Sequence, residues 1–61
     1  MTRAQLTAMV IFLKEAFVQI DNARKIAVAA KDQPTAQDIA ALQCDVSLEI
    51  TRLEGRRISA T

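Results

Sequence analysis

One proline interrupts this chain. Pro34 lies in Lys31-Asp32-Gln33-Pro34-Thr35, and the 61 residues hold no second proline and one glycine, Gly55. A prolyl nitrogen cannot donate a helical hydrogen bond, and its ring disfavours helical geometry at the preceding residue. So few turn formers leave room for few elements, each of them long. On both sides of the break, apolar residues recur at the helical period. The spacing predicts a single domain: helix 1 over about residues 3–31, a turn at 32–35, helix 2 over about 36–55, and a short C-terminal tail. Gly55 is the expected stop, and Arg52, Arg56 and Arg57 around it suit the carbonyl end of a helix. The segment after it, "RRIS", can also extend the helix by a turn, because one Gly costs only about 1 kcal/mol there. Ser59, Ala60 and Thr61 are expected to fray.

The two helix starts are written in nearly the same way. Thr2 is followed by Gln5, the reciprocal capping pattern in which each side chain satisfies the other residue's N–H. Thr35 is followed by Asp38, which places negative charge in the first turn. Leu6 and Ile39 take the fourth helical position in each case, with Met1 and Pro34 ahead of the caps as candidate hydrophobic staples. Alternation of period two occurs only in Cys44–Ile50, and the longer helical register outweighs it.

Helix 1 carries one wide stripe: Leu6, Met9, Val10, Leu13, Ala16, Phe17, Ile20, Ala23 and Ala27. Phe12 and Ala30 widen it on one side and Val28 on the other. Helix 2 has a main stripe of Ile39, Leu42, Val46, Ile50 and Leu53, and a weaker one of Ala41, Cys44 and Leu48. A helix with one neighbour needs a narrow seam, whereas a helix in a bundle buries a wider arc. The expected fold is therefore all-α: a two-helix antiparallel hairpin dimerising into a four-helix bundle. Its core and dimer contacts are expected from Leu6, Met9, Leu13, Phe17, Ile20, Ile39, Leu42, Val46, Leu48, Ile50 and Leu53.

Composition narrows the function. Eight basic and seven acidic residues leave a net charge of +1, so bulk charge does not draw the chain to nucleic acid or anionic lipid. Cys44 is the single cysteine, which excludes an internal disulfide and suits a reducing cytoplasm. The apolar run Ala8–Leu13 is far short of the ~20 residues of a membrane span. With no His and no Gly-rich phosphate loop, a catalytic role, a cofactor or a metal is not expected. Asp45 and Glu49 are spaced as metal carboxylates, but no further ligand completes a set.

Ile11 and Val18 break the pattern. They lie outside the stripe, seven residues apart, within a rim of Lys14, Glu15, Asn22 and Lys25. Read as a casual surface pair they mean nothing. Read as an apolar centre in a charged rim, they are a partner-binding patch with Lys14 and Glu15 at its edge. Arg24, inside the stripe, is expected to snorkel or to pair with Asp21 or Asp45. Cys44 is expected as a small buried residue at a helix contact.

The function expected is a small non-enzymatic interaction module that dimerises and binds, regulates or inhibits a larger bacterial protein, as accessory regulators of phages and plasmids do. In length, helix count and tight turn, the chain resembles the plasmid copy-number modulators of the ROP type, which pair short hairpins into four-helix dimers. The resemblance is one of plan, and no residue motif carries over. Two alternatives stand beside it. One is RNA or DNA binding through Arg52, Arg56 and Arg57; the other is a structural or co-chaperone subunit of a larger assembly.

Overall fold

A computed structural model describes residues 1–59. It contains two helices, α1 (Arg3–Ala29) and α2 (Gln33–Ser59), packed as an antiparallel hairpin. The rod measures 46 × 14 × 12 Å. The expected fraying of Ala60 and Thr61 lies outside the described residues.

The first cap forms as its residues dictate. The Gln5 N–H donates to Thr2 Oγ1 at 3.1 Å, and the Thr2 N–H donates to Gln5 Oε1 at 2.7 Å. Two orphan donors of the helix start are thereby satisfied.

The turn differs from its expected place. Helix 1 ends at Ala29 rather than at residue 31, and helix 2 begins at Gln33 rather than at 36. Lys31 takes the left-handed conformation, with φ of 59°. Its N–H donates to the Val28 carbonyl at 3.0 Å, and the Asp32 N–H donates to the Ala27 carbonyl at 3.0 Å. This pair of bonds is the Schellman closure, which usually employs glycine.

Asp32 then starts the second helix. Its Oδ1 accepts from the Thr35 N–H at 3.3 Å, its Oδ2 accepts from the Thr35 hydroxyl at 2.8 Å, and its carbonyl accepts from the Ala36 N–H at 3.0 Å. Asp32 is thus the cap, and Thr35 is not. Pro34 falls in the first turn, where a missing N–H costs nothing because no carbonyl would receive it. The proline opens α2 instead of standing outside it as a staple. At the far end α2 passes through Gly55 and reaches Ser59, so residues 56–59 are helix and not tail. Gly55 has no positive φ, and the arginines beyond it face the helix carbonyl end favourably.

Between the helices runs one seam. On α1 the positions 6, 10, 13, 17, 20, 24 and 27, all buried or half-buried, are spaced alternately by three and four, with half-buried Thr7, Ala16 and Asp21 on the flanks. On α2 the positions 36, 39, 43, 46, 50, 53 and 57 are spaced in the same way, with half-buried Glu54 on the flank. Such spacing is the mark of side chains interdigitating between two antiparallel helices. Leu6, Val10 and Leu53 form the buried cluster, with Leu13 and Ile50 packed against it. Towards the turn, Ala27 and Ala36 are buried, and their small size lets the helices close onto a short connection.

Two substitutions test the ends. Lys31→Gly relieves the left-handed strain and should raise the unfolding free energy by about 0.5–1 kcal/mol in urea titration. A Cβ at Gly55 would meet nothing within 4 Å. Gly55→Ala should therefore stabilise by about 1 kcal/mol. No gain at residue 55 would mean that the last turns are not helical in solution.

Candidate interaction surface

Two links between the helices frame a groove. Near the chain termini, Lys14 Nζ lies 3.0 Å from Glu54 Oε1. One to two turns further along α1, Gln43 Nε2 donates to Asp21 Oδ1 at 3.0 Å. Between these links Phe17 and Ile50, both half-buried, form the floor, with Val18 and Ser47 at the sides. The groove has a volume of about 290 Å³ and is lined mainly by carbon. Val18 is 56% exposed, and Ile11, two helical turns before it, is 51% exposed. The sequence-predicted patch of Ile11, Val18, Lys14 and Glu15 is thus solvent-accessible, and two of its members, Lys14 and Val18, line this groove.

Asp21 is the hub of the polar link. Its carboxylate also receives Arg24 at 2.9 Å and Lys25 at 3.2 Å. The Gln43 amide first, then Arg24 and Lys25, hold it well below the usual carboxylate range. Of the two partners foreseen for Arg24, Asp21 is the one it takes. Because Arg24 and Gln43 both occupy seam positions, a polar layer divides the seam from the apolar cluster of Leu6, Val10 and Leu53, beyond which Arg57 closes the end. No buried side-chain nitrogen or oxygen among the described residues lacks a partner.

The other predicted residues separate into groups. Leu6 and Leu53 are buried, and Leu13, Phe17, Ile20, Ile39, Val46 and Ile50 are half-buried in the seam. Met9, Leu42 and Leu48 are exposed in the hairpin, so the single chain does not use them as core. Cys44 is exposed, not buried at a helix contact. The arginines do not converge. Arg52 engages Glu49 through Nη2 at 2.6 Å and Nε at 3.1 Å, Arg56 is exposed, and Arg57 is half-buried in the seam. The Arg52 guanidinium holds the Glu49 carboxyl below its ordinary value.

Sequence reasoning missed Gln43 and Ile26. A glutamine in a stripe of Ile39, Val46 and Ile50 reads as an interruption, though its three-and-four spacing places it in the seam. Ile26 shows the same spacing from Ala16, Gln19 and Ala23, which could have found it. No group of three or more His, Cys, Asp or Glu among the described residues is placed to hold a metal ion. No helix among them is long and apolar enough to cross a membrane. Comparison with protein-family models, with curated proteins and with solved structures gives no match. The class defined here is a helical hairpin with a polar-ended apolar groove.

The Asp21 cluster sets a pH dependence. A depressed carboxylate contributes stability fully present above its unfolded pKa, about 3.9, and lost as pH falls through the folded value. The melting temperature should fall between about pH 5 and about pH 2, and Asp21→Asn should lower it at about pH 5 and flatten the slope. An unchanged slope in that variant would show that the cluster does not stabilise the hairpin.

Proposed function

We propose that this chain is a non-enzymatic interaction module, a dimer-forming helical hairpin that binds and regulates a larger protein. The partner element is an amphipathic helix laid along the groove. It buries apolar side chains over Phe17 and Ile50 and covers Ile11 and Val18. One observation carries the reading. Val18, more than half exposed, lines a groove with an apolar floor framed by polar links, and Ile11, also more than half exposed, continues the apolar surface two turns back along α1. An apolar centre with a charged rim is the anatomy of a protein interface. Divergent arginines, one of them held by Glu49, favour this reading over phosphate binding.

The test is a double substitution, Ile11→Asp with Val18→Asp. Both sites are exposed, so helicity by circular dichroism should be unchanged. Proteins captured from source cells by the tagged wild-type chain should be missing from the variant's eluate by mass spectrometry. Equal capture by the two chains would remove this face from the interaction.

A further inference from the structure

The groove is on one side of the hairpin. On the opposite flank of α1 runs a second stripe, parallel to the seam. Met9, Phe12, Ala16, Ala23, Ile26 and Ala30 follow one another there at spacings of three and four, with Gln19 at the centre. No charged residue interrupts it. Phe12 is 67% exposed, Ile26 71% and Met9 39%. We propose that a second copy of this chain covers this stripe, the two α1 helices running antiparallel about a two-fold axis at Gln19. The proposal rests on the dimer of the preceding reading and assigns its face.

The order of side-chain sizes argues for a copy of the chain itself. About an axis at Gln19, Met9 meets Ala30 of the second copy, Phe12 meets Ile26, and Ala16 meets Ala23. Met9 is then matched by a small residue, Phe12 by the smaller Ile26, and the layers on either side of Gln19 hold two alanines each, so the size order reads nearly the same from both ends. A parallel pairing would instead stack Met9 on Met9, Phe12 on Phe12 and Ala30 on Ala30, a thick end and a thin end. At the axis the two Gln19 carboxamides can each donate and accept, so neither is left unsatisfied. The alanines beside them allow close approach of the helices.

The second helix adds to the centre of the same face. Residues 42 and 43 stand level with Asp21, as the Gln43 bond shows. By helical geometry Leu42 points to the Met9 flank while Ser47 and Glu54 point to the groove flank. Exposed in the single hairpin, Leu42 sits beside the small residues of the stripe. The strip is about 30 Å long and one helix wide. With Leu42 it supplies on the order of 1,000 Å² over both copies, the lower bound for a specific interface.

Cysteine cross-linking in a Cys44→Ser background reads both face and direction. Mixing a Met9→Cys chain with an Ala30→Cys chain should give a disulfide-linked heterodimer on mild oxidation, with little Met9→Cys homodimer. Sedimentation should show a dimer for the unmodified chain and for Ile11→Asp/Val18→Asp, and a monomer for Phe12→Asp/Ile26→Asp. Should that last variant fail to fold, the cross-linking result still decides. A monomeric wild-type chain, a dimer lost in the Ile11/Val18 variant, or a Met9–Met9 cross-link would each overturn the proposal. A monomeric chain that still captures its partner would sink the dimer face while leaving the groove reading intact.

Discussion

Everything in this structure follows from a two-helix hairpin being able to bury one strip on each helix and no more. The strip is the seam of residues spaced by three and four, and it is used up inside the chain. What it covers is modest, with Leu6, Val10, Leu53, Ala27 and Ala36 the buried residues. A wide apolar arc on α1 therefore has its middle in the hairpin and its edges in water. Small domains without a disulfide or metal commonly answer this shortage by association. In this hairpin the Phe12, Ile26 and Leu42 side chains stay exposed.

The seam is not uniform, and its variation organises the outer surface. The buried cluster of Leu6, Val10 and Leu53 lies toward the chain termini and small residues lie at the turn. Between them Arg24 and Gln43 converge on Asp21. That polar layer fixes the axial register, because sliding one helix past the other would leave the Asp21 carboxylate without its amide. It also ends the groove. The groove is thus a by-product of register: Phe17 and Ile50 are left half-covered where the seam passes from apolar to polar.

Much of this was legible in the chain. The Thr2 and Gln5 pair forms its cap because both partners are three residues apart on one strand of backbone, so no other element is needed. The seam leucines, Leu6 and Leu53, followed from the period of the pattern. The turn was not legible in detail. Asp32 and Thr35 are both good caps, and choosing between them depends on whether Lys31 accepts a left-handed backbone, a conformation that sequence rules reserve for glycine. Cys44 and Leu48 looked like a second packing stripe, yet one hairpin has no neighbour to receive them. The arginines looked like a cluster because they are near in sequence, whereas the helical step turns Arg57 into the seam and leaves Arg52 on Glu49.

By itself the sequence determined two helices, one break and the strip along which they meet, because caps, proline and hydrophobic period act within a few residues. The tertiary structure decided which apolar side chains stay wet, where the polar link closes the groove and which acid caps α2. Those outcomes depend on the height and rotation of one helix against the other, and no local spacing contains that information.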